Sequence, residues 1–218
     1  MKIVVFDTET SGLPKTRILT PNTIHMWPFI VQFSYIIFDT ETNDVIKSYD
    51  AIVKVKPYNI ISKDSIKFHG ITQEISELKG IPIDKVLDEF VDDIEDADLI
   101  VAHNVEFDLN MIRAELMRLD YEDMELRMIN IIKNQNFYCT MRESIDLCKI
   151  EKVNTRGKYY KFPTLSELHK HLFDVEPKHL HNSFHDILCT IRCFIKMKYD
   201  SDIVEQNQPF KELIHKLI

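Results

Sequence analysis

The chain has 218 residues, 44% apolar and 28% charged, with 8 Pro and only 4 Gly. These proportions exclude disorder and a fibrous repeat, and they suit one large domain with its own core or, less well, two small ones. The formal charge of −8 excludes a surface that is basic throughout, so any phosphate-bearing partner has to be gripped locally. No apolar run reaches the roughly 18 to 20 residues that cross a bilayer, and Ile3 to Phe6 is too short for a signal peptide. The expectation is a soluble intracellular protein, cytoplasmic or nuclear, with no membrane partner. Cys139, Cys148, Cys189 and Cys193 form no C-x-x-C pair and sit among apolar neighbours, so they read as reduced core thiols.

In chain order, Ile3 to Phe6 reads as a buried strand. The segment from Gly12 to Pro28 reads as a long loop, because Pro14, Pro21 and Pro28 each remove a ladder donor. Strands resume at Ile30 to Phe38 and at Val45 to Val55, and the polar break between them predicts an antiparallel meander. From Ser65 the pattern changes. Between Ile83 and Ile94, Val86, Leu87, Phe90, Val91 and Ile94 mark one helical face, and the acidic face opposite reads as solvated. Leu99 to Ala102 is a second buried strand, followed by Leu109, Ile112, Leu116 and Leu119 at helical spacing, which is the order of a parallel unit. Strand character at Phe137 to Met141 precedes helical patterns at Glu143 to Cys148, Leu165 to Phe173 and Phe184 to Tyr199. The sum is an α/β domain over residues 1–200 with a mixed sheet flanked by helices, and a helical tail over 201–218.

Three clusters carry candidate chemistry. The first strand ends in Asp7-Thr8-Glu9, and strand alternation puts both carboxylates on one face. They are either a solvated pair or ligands of a hard cation. His103-Asn104-Val105-Glu106-Phe107-Asp108 follows the second strand, where Asp108 suits either a helix start or a ligand. His181-Asn182-Ser183-Phe184-His185-Asp186 stands where another helix begins, with Asn182 or Ser183 as its cap. Asp7, Glu9, Asp108 and Asp186 thus all lie at strand ends or helix starts, where open α/β sheets collect their sites. Four carboxylates and an imidazole are what two-metal phosphoryl chemistry requires.

With these motifs, Asp7-Thr8-Glu9-Thr10-Ser11-Gly12-Leu13, His103 to Asp108, His181 to Asp186 and the lesser His69-Gly70-Ile71-Thr72, the sequence resembles the DEDDh 3′-to-5′ exonucleases. That ribonuclease H-like family includes bacterial polymerase proofreading subunits, and the match runs through about residue 198. The resemblance implies a ribonuclease H-like fold with a mixed five-stranded sheet. It implies an enzyme that removes 5′-mononucleotides from a 3′ end with two Mg²⁺ ions, Mn²⁺ being a possible substitute. Asp7, Glu9 and Asp186 are implied to bind the ion that holds the attacking water, and Asp7 with Asp108 the second ion. His181 is implied to be the general base on a mobile loop, and Thr10, Leu13, Phe68, His69, His103 and Phe107 are implied to touch substrate. The expected partner is a single-stranded 3′ end of DNA or else of RNA, with a DNA polymerase or a second copy of the chain as the alternative protein partners. A 3′-to-5′ exoribonuclease, and a catalytically inactive nucleic-acid-binding module of the same fold, are the alternatives.

Four further features stay open on the residues alone. His185 is a second imidazole beside Asp186; about 100° per residue turns it away from whatever Asp186 faces. His181, His185, Cys189 and Cys193 recur every four residues, yet ligands strung along one helix cannot surround a tetrahedral zinc ion. The segment from Lys149 to Phe162 carries five cations against Glu151, interleaved with Tyr159, Tyr160 and Phe162, and reads as a backbone groove for single strands or as a solvated hairpin. In the tail, Phe210, Leu213, Ile214, Leu217 and Ile218 recur at helical spacing, either to dock on the domain or to meet a partner.

Overall fold

The structure, a computed structural model, describes residues 1–215 and residue 217. Strands β1 (Lys2–Thr10), β2 (Ile30–Asp39) and β3 (Asp44–Ile52) form the expected antiparallel meander. Strands β4 (Leu99–Ala102) and β5 (Phe137–Cys139) add in parallel beyond β1, giving a mixed five-stranded sheet in the order β3-β2-β1-β4-β5. Between β3 and β4 the chain forms α1 (Lys63–His69), α2 (Gln73–Lys79) and α3 (Ile83–Ile94); α4 (Val105–Leu119) and α5 (Glu122–Asn134) link β4 to β5. Then follow α6 (Thr140–Glu143), α7 (Ile145–Cys148), a hairpin of β6 (Glu151–Asn154) and β7 (Gly157–Tyr160), α8 (Leu165–Phe173), α9 (Ser183–Tyr199), α10 (Ile203–Gln206) and α11 (Gln208–Ile214). Among the described residues no helix is long and apolar enough to cross a membrane.

Several boundaries differ from the sequence expectation for tertiary reasons. β1 continues past Phe6 to Thr10, because β2 carries its ladder that far and pairs Glu9 with Gln32. The carboxylate motif, expected at the end of this strand, is thus held within its ladder. β3 stops at Ile52, after which Val53 bridges to Ile81. β5 stops at Cys139, where α6 begins, and the helical pattern expected from Glu143 is split into α6 and α7. Helix α5 has no counterpart in the sequence reading.

Strand alternation divides the core into two layers. Val4 and Phe6 of β1, with Phe33 and Tyr35 of β2, pack against α3 to α5. Phe90 of α3, fully buried, meets Phe6, Phe33 and Tyr35 at centroid distances of 5.3, 4.7 and 5.3 Å. Ile3 and Val5, on the other face, pack against α8, α9 and the tail. Of the tail stripe, Phe210, Ile214 and Leu217 are buried in this second layer, Leu213 is exposed and Ile218 lies outside the described residues. The domain itself thus covers that face of the tail. The four thiols are free and Cys189 and Cys193 sit in the second layer, so the candidate zinc set is not gathered.

A buried polar chain ties the tail to the segment that leads into α9. Arg192 donates to both Asp202 oxygens at 3.0 and 2.6 Å, and its Nη1 donates to His169 Nε2 at 3.0 Å. His169 then donates from Nδ1 to the Val175 carbonyl at 2.8 Å, while Leu217 accepts from the Lys178 N–H at 2.8 Å. Arg192 is 6% exposed, so Arg192→Ala leaves a carboxylate and an imidazole without their partner. A loss of about 3–5 kcal/mol is expected, seen as a fall of about 10 °C in the thermal midpoint. A shift of less than about 2 °C would contradict this account.

Candidate active site

β1 sits at the middle of the sheet and presents Asp7 and Glu9 on the face that α9 covers, as strand alternation requires. What seats α9 there is a polar contact with β2. Ser34 donates to Asp50 at 2.8 Å, Ser183 at the start of α9 donates in turn to Ser34 at 2.5 Å, and the Ser183 N–H donates to Gln32 Oε1 at 3.2 Å. Asn182 caps the helix by accepting the His185 N–H at 3.3 Å, which leaves Ser183 free for that contact. Asp186, in the first turn, is thereby held over β1. Oxygens of Asp7, Glu9 and Asp186 lie within 4.8 Å of one another. One Asp186 oxygen, Oδ2, accepts the His181 N–H at 3.1 Å, while Oδ1 is buried without any protein partner.

Asp108 approaches from the other side. It is 2% exposed in the first turn of α4, and its Oδ1 accepts both the N–H and the hydroxyl of Thr8 at 3.2 and 2.7 Å. Thr8 points to the opposite face from Asp7 and Glu9, so one strand serves the trio with two residues and anchors the fourth carboxylate with the residue between them. Sequence reasoning missed Thr8; its signal was the same alternation that placed its neighbours.

The four carboxyls disfavour ionisation in one another. Burial pushes Asp108 and Asp186 up to about 7 and Glu9 to about 8. Asp7 is raised well above the usual carboxylate range by burial, with Asp108, Asp186 and Glu9 adding to the effect. Oxygen-only donors, an unpartnered buried oxygen and mutual repulsion together fit a hard divalent cation, which would offset that repulsion.

Two cleft lobes meet at these carboxylates, sharing Thr8, Glu9, Phe107 and His181. The first, about 460 Å³, is lined by Thr10, Leu13, Phe68 and His69; the second, about 550 Å³, by His103, Asp108, Phe162, Pro163 and Leu180. Local chemistry explains the first lobe. Gly70 adopts φ 74°, the left-handed turn that ends α1, and Thr72 then caps α2 by accepting the Ile75 N–H. Across that turn the Ile71 N–H donates to His69 Nδ1 at 3.0 Å, so the ring proton sits on Nε2, which is buried facing the Thr10 main chain and makes no hydrogen bond of good geometry with it. Burial also lowers the His69 pKa, keeping the ring neutral. Leu13 (83% exposed) and Phe68 (64%) form an apolar rim, which water alone gives no reason to keep.

The other histidines differ in availability. His103 donates from Nε2 to the Pro163 carbonyl at 3.2 Å and accepts at Nδ1 from Thr140 at 3.0 Å, and burial lowers it to about 4. It forms the neutral floor of the second lobe, with both nitrogens in use. His181 is exposed, in the left-handed region at φ 68°, with its ring against Phe68 at 5.1 Å. His185 lines neither lobe; its Nδ1 donates to the His179 carbonyl at 2.9 Å. Every site residue expected from sequence lines the two lobes, and Phe162, Pro163 and Leu180, which were not expected there, join them.

A family model described as Exonuclease matches residues 4–194. The chain belongs to the DEDD exonuclease family. DNA polymerase III subunit epsilon of Rickettsia conorii is 26% identical over 168 residues, 72% of this chain and 65% of that one. The PolC-type DNA polymerase III of Oceanobacillus iheyensis is 26% identical over 159 residues, 66% of this chain, and there the exonuclease-like part is 11% of the whole. E. coli exonuclease I, solved with a dA16 oligonucleotide, superposes with a TM-score of 0.66 at 17% identity over 97% of this chain and 42% of that chain. The exonuclease fold here is thus the ribonuclease H-like one expected from the sequence.

Proposed function

We propose that this chain is a metal-dependent 3′-to-5′ exonuclease that releases 5′-mononucleotides, acting on DNA ahead of RNA in proofreading or repair. The observation that carries the proposal is the gathering of Asp7, Glu9 and Asp186 around an unpartnered buried oxygen, between two lobes and beside an exposed imidazole. Two Mg²⁺ ions, or Mn²⁺ in their place, supply charge neutralisation and polarise the phosphate when bound. Asp7, Glu9 and Asp186 would hold one ion, and Asp7 with Asp108 would hold the other. His181 takes the proton of the attacking water on its ring, from a loop fixed through main-chain N–H to Asp186.

The remaining residues position the 3′ end. Leu13, Phe68 and Phe107 give the terminal base an apolar, sequence-tolerant bed. His69 offers its Nε2–H as a donor, while Thr10, whose hydroxyl is spent on the Gly12 carbonyl at 2.7 Å, shapes the wall. The preference for DNA rests on the relatives, which are named as DNA polymerases and a DNA polymerase subunit; a polymerase is the partner this reading favours over a second copy of the chain.

The test is incubation with 5′-labelled single-stranded DNA and the matching RNA, with Mg²⁺, with Mn²⁺ and with EDTA. A metal-dependent ladder shortening from the 3′ end is expected, faster on DNA. A faster ladder on RNA would make the chain an exoribonuclease, and a single internal cut would overturn the 3′-end reading. No cleavage with either metal would move it to a binding module.

A further inference from the structure

The clefts leave the β6–β7 hairpin without a role. All eight residues of its strands are exposed. It is closed at its base by the Lys161 N–H donating to the Ile150 carbonyl at 3.0 Å, and at its tip by Asn154 accepting the Arg156 N–H at 2.8 Å. Gly157 at φ 121° makes that turn possible. A two-stranded hairpin that buries no core is marginal in water, so packing does not dictate its side chains. They are nonetheless far from average for this chain. Five cations from Lys149 to Lys161 oppose one carboxylate, Glu151, in a protein of charge −8.

The pairing register distributes these groups over both faces. Lys152 lies opposite Tyr159 on one face; Lys158 and Tyr160 share the other. Lys158 pairs with Glu151 at 3.0 Å and Lys161 with Glu167 at 2.5 Å, whereas Lys152 and Arg156 have no carboxylate partner among the described residues. Tyr159 and Tyr160 are 47% and 42% exposed. Immediately after β7 the chain becomes the cleft wall: Phe162, Pro163 and Thr164 line the second lobe.

We infer that this hairpin is a clamp for the single strand on the 5′ side of the scissile phosphodiester, its cations on phosphates and its tyrosines against bases. The inference rests on the exonuclease reading for the placement of the 3′ end. Charge complementarity supplies the attraction, and continuity with the cleft wall supplies the path. Four-residue strands reach about 13 Å, so the clamp acts only on strands that extend beyond the cleft.

Two variants test it, Lys152→Ala/Arg156→Ala/Lys158→Ala and Tyr159→Ala/Tyr160→Ala, on oligothymidylates of about 3 and about 15 nucleotides. On the longer strand KM is expected to rise about tenfold in each, with kcat/KM on the short one unchanged and a flatter salt dependence in the cation variant. The same loss must appear in the Kd of the fluorescently labelled longer strand in EDTA, a measurement that needs no turnover. It therefore stands even if the wild type proves to cleave nothing, which would sink the exonuclease reading alone. Unchanged Kd, equal loss on both lengths, or a loss confined to 3′-recessed duplex would overturn the clamp. Exposure of the replaced side chains predicts unchanged thermal midpoints, which separates lost binding from lost folding.

Discussion

Asp186→Asn is expected to lower turnover by about 10³-fold and, in metal-free protein at pH 8, to raise the thermal midpoint by about 5 °C. The two effects have one cause. Asp186 sits with Asp7 and Glu9 at a spacing that suits a cation and penalises anions. Its folded pKa, like that of Asp108, is pushed up to about 7, and that of Glu9 to about 8. In the unfolded chain these groups titrate near about 4. Between those limits the native state holds more protons than the unfolded one, so stability falls as pH rises through that window and levels off above it. Asparagine removes one of the repelling charges while keeping an acceptor for the His181 N–H. Bound Mg²⁺ would do the same for the wild type by a different route, and its addition at pH 8 is expected to stabilise the wild type far more than the variant. Calorimetric scans in EDTA and in Mg²⁺ from pH 5 to 9 check all three statements. A metal-free wild type that grows steadily more stable from pH 5 to 8 would contradict them.

His181→Asn is expected to cut kcat by about 10²–10³-fold while leaving KM and the affinity for Mn²⁺ near their wild-type values. Asparagine is the informative choice because the residue stands at φ 68°, a conformation it tolerates better than alanine does. Position 181 also meets Asp186 through its main-chain N–H, which the substitution keeps. The variant thus removes the ring alone. Wild-type kcat would transfer the proton-accepting role elsewhere, and His185 is then the next candidate to replace, although its Nδ1 is engaged by the His179 carbonyl. A loss of metal affinity as large as the loss of rate would instead show that the loop holds Asp186 in place.

The family relation and the geometry divide the work of explanation. The motifs place the chain among exonucleases, but the arrangement of β1 explains why the first motif has its spacing. Asp7 and Glu9 face α9, and Thr8 between them holds Asp108 on the far side. The His-Gly-Ile-Thr motif likewise has a structural reason: glycine ends α1 in the left-handed region, threonine caps α2, and the turn between them fixes the tautomer of His69.

Local periodicity in the sequence determined the strand alternation of β1 and the apolar stripe of α3. Residue type at fixed offsets determined the three motifs and narrowed the cap of α9 to Asn182 or Ser183, of which the structure uses Asn182. Each depends on neighbours within a few positions, which is why it can be read along the chain. Helix α5 escaped because its buried residues, Met124, Met128 and Ile131, make a thin stripe that takes meaning only against α3 and α4. Only the tertiary structure decided that Thr8 anchors Asp108 across 100 residues of sequence, and that Ser183 seats α9 on β2 across 149. It also decided that the tail is covered by the domain and that the basic segment is a hairpin continuous with the cleft wall. These outcomes follow from the order of strands in the sheet and from which helix covers which face, and short-range pattern carries no record of either.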